Sequence, residues 1–208
     1  MAAQTSRIRL HRGDLPADFA PGAAIAIDTE TLGLNPRRDR LCVVQVSRGD
    51  GSADVVQIRP GDAAERLKAV LADPRVLKIF HFARFDLAVL FQAFGVMPGP
   101  VYCTKIASKL ARTYTDRHGL KDVVRELVGV DLSKQQQSSD WGADTLSQAQ
   151  VDYAASDVLH LHVARERLDA ILAREGRTAM AESCFAFLPT RARLDLAGWP
   201  ETDIFAHS

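Results

Sequence analysis

The stretch AAIAIDTETLGL (residues 23–34) begins with five apolar residues and then carries two acids one residue apart, Asp28 and Glu30. An apolar run of this length, bounded downstream by Gly33 and by Asn35-Pro36, predicts a buried strand. Side chains on a strand alternate, so Asp28 and Glu30 project from one face. Two carboxylates leaving an apolar strand together repel each other and resist desolvation. A divalent cation relieves both costs, and an all-oxygen ligand set suits Mg²⁺ or Mn²⁺. A solvated strand end would also accommodate the pair.

Outward from this strand, LCVVQVS (41–47), DVVQI (54–58) and VLKIF (76–80) are further short apolar runs separated by turn residues. Helical spacing of Leu67, Val70 and Leu71 predicts a helix within residues 62–73, closed by Asp73-Pro74. RFDLAVLFQAF (84–94) predicts a largely buried helix stopped by Gly95. Beyond Thr104 the strand signals end, and KIASKLAR, GLKDVVRELVG and SQAQVDYAASDVLHLHVARERLDAILARE all carry helical patterns. The expectation is an α/β fold, a sheet with interspersed helices followed by a helical second half. A single domain over residues 1–208 is expected, with 188–208 as an irregular but apolar tail that packs on the domain or a neighbouring subunit. The polar run KQQQSSDW (134–141) is expected to be a loop.

Lys+Arg and Asp+Glu both number 26 in 208 residues, so the formal charge is zero. Long nucleic acid is bound largely through release of counterions, which a neutral chain achieves only with a locally basic face. Cys42, Cys103 and Cys184 are odd in number, with no CxxC pair. That argues against a thiolate zinc site and a disulfide framework, leaving buried reduced thiols as the reading. The start of the chain has no apolar signal core and no run approaches a membrane span, so a cytoplasmic protein without a membrane partner is expected.

Two further signals carry chemistry. Asp86 is the only acid in FHFARFDLAVLF (80–91), near the start of a helix, where the helix N-terminus would equally stabilise it. His81, five residues earlier, suits an ordinary structural histidine as well as a site residue. In Tyr153-Ala-Ala-Ser-Asp157 the i, i+4 spacing sets a phenol and a carboxylate on one helix face, and the small residues between permit close approach. A surface hydrogen-bonded pair has the same spacing.

Taken in order, two acids on the first core strand, an acid on a mid-chain helix and Tyr-x-x-x-Asp on a late helix, this pattern resembles the DEDDy branch of the RNase D-like 3′-5′ exonucleases. Asp28, Glu30, Asp86 and Asp157 match its four acids and Tyr153 its tyrosine, and His81 matches a histidine of its second motif. Within the branch, DTETLGL, RDRLCVVQ, IFHFARFD, CTKIASKLARTYTDRHGLK, KQQQSSDW, YAASDVLHLH and IFAHS look like the compact bacterial members that degrade dinucleotides. The resemblance implies an RNase H-like (DEDD exonuclease) fold with a mixed central sheet flanked by helices. It also implies two divalent cations, Mg²⁺ or Mn²⁺, on the four acids, and Tyr153 orienting the attacking water. The implied partner is short single-stranded RNA, dinucleotides above all, and the implied assembly is a homo-oligomer, an octamer in the family.

Substrate contacts are expected at Leu32, which matches a leucine that wedges between bases in related enzymes, and at His81. Six Lys/Arg and two Asp lie between Thr104 and Arg125. Tyr114, Arg117, His118 and Lys121 in that segment are the candidates for a 5′-phosphate site. Loop packing for Leu32 and solvated helix faces for the basic residues are the alternatives. The rival activities are a general RNase D-like exonuclease on longer RNA or DNA, and an inactive nucleic-acid-binding scaffold.

Overall fold

The computed structural model describes residues 7–133 and 135–207. Met1–Ser6, Lys134 of the polar loop and the final Ser208 lie outside the described residues. The four expected strands are present as β2 (Ala24–Thr31), β3 (Leu41–Ser47), β4 (Ser52–Gln57) and β5 (Leu77–Phe80), joined by β1 (Arg7–Arg12) and β6 (Val101–Cys103) at the edges. The sheet order is β1-β4-β3-β2-β5-β6. The β2–β3 and β3–β4 pairs are antiparallel, and β1–β4, β2–β5 and β5–β6 are parallel. This is the expected mixed sheet flanked by helices.

Every residue of β3 and β4 is buried, as strands covered on both faces require. β1 escapes a sequence reading because RIRLHR looks like a charged surface segment. Its partner is tertiary: Arg9 and His11 both reach the buried Asp54 of β4, at 2.8 and 2.7 Å. An edge strand gains from such charges, which discourage pairing with another chain.

The helices are α1 (Glu65–Ala72), α2 (Ala83–Phe94), α3 (Thr104–Ala111), α4 (Leu120–Val128), α5 (Gln148–Leu159), α6 (Leu161–Arg174) and α7 (Thr178–Ala197). Gly95 closes α2 with a φ of 69°, a conformation glycine adopts without penalty. The long helical pattern expected from Ser147 onward divides at His160 into α5 and α6. Residues 188–197, expected to be irregular, are instead the second half of α7. Pro189 signalled a break, but it sits within the helix, where buried Phe185, Leu188 and Ala192 secure that segment against the core. Arg84 and Arg191 also grip Asp195 near the end of α7. Cys42 and Cys103 are buried and Cys184 half-buried, all as free thiols. No described helix is long and apolar enough to cross a membrane.

Candidate active site

The site forms where the C-terminal end of β2 meets α2 and α5. Asp28 and Glu30 project from β2 on one face, as the alternation requires, and Asp157 approaches from α5. Carboxylate oxygens of these three acids all lie within 4.8 Å of one another. Asp86, in the first turn of α2, is buried and accepts a hydrogen bond of 2.8 Å from the Thr29 hydroxyl. Gln45, opposite Asp28 on β3, donates its Nε2–H to Asp28 Oδ2 at 2.7 Å.

The electrostatics follow from burying four like charges together. Burial first, then the charges of Asp86, Asp157 and Glu30, push the Asp28 carboxyl well above its ordinary range. Burial, then Asp157 and Asp86, push Glu30 up to about 9. Asp86 and Asp157 are each pushed up to about 7 by burial, against the opposing bonds from Thr29 and Tyr153 respectively. Such a cluster is costly when ionised and unpaired. Its donors are all hard oxygen atoms, and the cluster fits divalent cations.

α5 is placed by local sequence. Ser147 caps it and closes a capping box with Gln150, whose side chain also donates to the Asp140 carbonyl at 3.1 Å. Trp141, buried beneath that loop, stacks obliquely on Tyr153 with centroids 6.1 Å apart. The Tyr153 phenol is pushed up by burial first and then by Asp157, Glu30 and Asp28, so it keeps its proton.

Asp28, Glu30, Tyr153 and Asp157 line a cleft of about 630 Å³, together with Leu32, Leu34, His81, Phe85, Lys105, Lys121 and Trp141. His81 Nδ1 lies 2.9 Å from the Thr104 hydroxyl, and burial followed by the Lys105 charge pushes the ring down to about 3, so it is neutral. Among the expected phosphate contacts only Lys121, in the first turn of α4, reaches the cleft wall. Tyr114, Arg117 and His118 lie on the loop between α3 and α4 and outside the cleft lining. The Tyr114 hydroxyl bonds Glu126, the Arg117 carbonyl accepts from the buried Arg112 at 2.9 Å, and His118 Nδ1 meets Ser108 Oγ at 2.9 Å.

The sequence reading missed Thr29, Gln45 and Lys105. Gln45 did leave a signal, as the lone amide within an otherwise apolar strand. Lys105 was marked only as one of the basic residues of the 104–125 segment, and Thr29 left no signal, because its role depends on which neighbour the fold brings to it.

Residues 14–173 match the model of a 3′-5′ exonuclease domain. A curated relative, ribonuclease D of Gluconacetobacter diazotrophicus, is 37% identical over 180 residues, covering 86% of this chain and 44% of its own length. The chain thus spans less than half the length of the curated relatives it matches first. Brucella melitensis NrnC is similar along almost the whole chain, with 65% identity, a TM-score of 0.94 and coverage of 97% of this chain and 100% of that one. That protein has also been solved with bound Mg²⁺ and bound to pGG. Escherichia coli RNase D is 28% identical with a TM-score of 0.74, over 82% of this chain and 45% of its own. With a 3′-5′ exonuclease domain matched over most of its length and ribonuclease D among its relatives, the chain belongs to the RNase D-like 3′-5′ exonuclease family.

Proposed function

We propose that this protein is a metal-dependent 3′-5′ exoribonuclease that hydrolyses very short RNA, above all 5′-phosphorylated dinucleotides, to 5′-mononucleotides. The observation that carries this reading is the convergence of Asp28, Glu30 and Asp157 within 4.8 Å, with Tyr153 alongside, on a cleft that also holds Lys105 and Lys121. Asp86 is buried behind the lining, bonded to Thr29 and near enough to Asp28 to raise its carboxyl. Two divalent cations, Mg²⁺ or Mn²⁺, held by Asp28, Glu30, Asp86 and Asp157 would supply Lewis-acid activation of water and of the leaving oxygen. Gln45 and Thr29 hold Asp28 and Asp86 in place for that task. Tyr153, protonated, orients the attacking water by hydrogen bonding. The water oxygen bonds to phosphorus, the bond from phosphorus to the 3′ oxygen breaks, and the terminal nucleotide departs with a 5′ phosphate.

The dimensions of the cleft and the charge of the chain support a short substrate. A cleft of about 630 Å³ lies within the ~300–1,000 Å³ range of pockets that enclose one small ligand. Zero net charge gives the chain little means of tracking a long polyanion. Leu32 meets the bases, while Lys121, Lys105 and the free amides at the α4 N-terminus attract the 5′ phosphate. Brucella melitensis NrnC bound to pGG supports the same substrate class.

A series of 5′-phosphorylated RNAs from two to seven nucleotides, assayed with Mg²⁺ and again in excess EDTA, tests this directly. The dinucleotide is expected to exceed the longest oligomer in kcat/KM by about tenfold or more, and chelation is expected to abolish all turnover. Equal efficiency at both lengths replaces the reading with a general short-RNA exonuclease. Full activity after exhaustive metal removal rejects the metal mechanism.

We also propose that the chain self-associates. Trp199 and Phe205, 47% and 76% exposed, follow α7 and leave apolar surface of the kind that marks an interface. Light scattering at micromolar concentration is expected to give a mass above the 22.8 kDa of one chain, and a purely monomeric species refutes it.

A further inference from the structure

We propose that Gly142 is a positioning residue for Leu32, and that its lack of a side chain sets how far Leu32 reaches into the cleft. A Cβ built on Gly142 would lie 2.6 Å from Leu32 Cδ2, 3.3 Å from Asp140 Oδ1 and 3.4 Å from Arg40 Nη2. Ordinary contacts between carbon atoms fall near 3.5–4.0 Å. The backbone of Gly142 is not in the left-handed region, so space rather than conformation demands glycine here.

Leu32 is anchored on its backbone side by its amide, which donates to the Arg40 carbonyl at 3.2 Å. Its neighbour Gly33 lies against Asp39, where a Cβ would approach Oδ2 to 2.4 Å. The side chain itself is 53% exposed and takes its seat from Gly142. The segment bearing Gly142 is tied in turn to α5. The Asp140 carbonyl accepts from Gln150, and Trp141 packs on Tyr153. Leu32 is therefore registered against the same helix that carries Tyr153 and Asp157.

An alanine at 142 displaces Leu32 by about 1 Å, the shortfall from an ordinary contact. A half-exposed leucine yields at little cost in stability, whereas a misplacement of about that size costs up to ~10²-fold in rate when it misaligns substrate. The inference rests on the proposed function, in which Leu32 meets the substrate's bases.

The test is a double-mutant cycle of Gly142→Ala and Leu32→Ala, measuring kcat and KM on a 5′-phosphorylated dinucleotide, the melting temperature and its rise with Mg²⁺. Gly142→Ala is expected to lower kcat/KM by about tenfold, chiefly through KM, with the melting temperature and the Mg²⁺ response unchanged. In the Leu32→Ala background the same change is expected to cost less than about twofold, because the atom it strikes is gone. An equal loss in both backgrounds overturns the proposal, as does wild-type behaviour of Gly142→Ala beside an impaired Leu32→Ala. Wild-type activity of Leu32→Ala instead removes the base contact from the proposed function. If Gly142→Ala fails to fold, recovery of folding by Leu32→Ala supports the clash, and failure in both backgrounds overturns it.

Discussion

Asp28→Ala and, separately, Asp157→Ala are expected to give folded proteins whose turnover of 5′-phosphorylated dinucleotides falls by about 10³-fold or more. Metal stabilisation of developing charge contributes several kcal/mol to such reactions, and each 1.36 kcal/mol is tenfold in rate. Asp28 is raised by all three other acids and Asp157 completes the triad of oxygens, so loss of either removes the convergence on which the proposed ions would depend. Stability is expected to move the other way. In the metal-free protein, Glu30 at about 9 and Asp86 and Asp157 at about 7 lie above the ordinary carboxylate range near 4. The unfolded chain therefore binds fewer protons, and metal-free stability declines as pH rises from about 4 to about 9. Removing one repelling carboxylate lessens that decline. Melting curves at pH 8 in EDTA are expected to place Asp28→Ala at or above wild type, and its rise with Mg²⁺ is expected to be smaller. Turnover within tenfold of wild type, measured at saturating Mg²⁺, removes the substituted acid from the set of required ligands.

Tyr153→Phe is expected to lower kcat by about 10²-fold, the lower part of the range for a positioned proton-handling group. The ring stays packed against Trp141, so α5 and its Asp157 keep their place, and the rise in melting temperature with Mg²⁺ is expected to persist. Burial and three nearby carboxylates keep the phenol protonated, in keeping with the proposed role of hydrogen-bond donor to the water or phosphate in place of general base. A rate profile with no ionisation attributable to the phenol across pH 6–9 agrees with that role. An unchanged kcat under conditions where chemistry limits turnover reduces Tyr153 to a packing residue.

Much of the fold was legible because its signals are local. The runs at 23–29, 41–47, 54–58 and 76–80 are apolar enough to be strands wherever they lie, and the structure places a strand at each. β1 was not legible, because a charged hexapeptide becomes a strand only when Asp54 awaits it on β4. The second half of α7 was hidden by Pro189, whose local preference is outweighed by burial of Phe185, Leu188 and Ala192. In the site, Asp28 and Glu30 share a face through strand periodicity alone, and Tyr153 and Asp157 do so through helical periodicity. The basic segment was harder. Composition marked the region, but only Lys121 and Lys105 of its basic residues reach the cleft, while the Tyr114 and His118 side chains bond Glu126 and Ser108 and the Arg117 carbonyl accepts from Arg112.

The sequence by itself determined which residue types were available and the face each would occupy on its own element, since periodicity is a property of the local backbone. Only the tertiary structure decided which faces meet. It brought Asp157 to Asp28 and Glu30 across more than 120 residues of chain, bound Asp86 to Thr29, and set Gly142 against Leu32. Those distances come from packing many side chains into one core, and no segment read alone contains them.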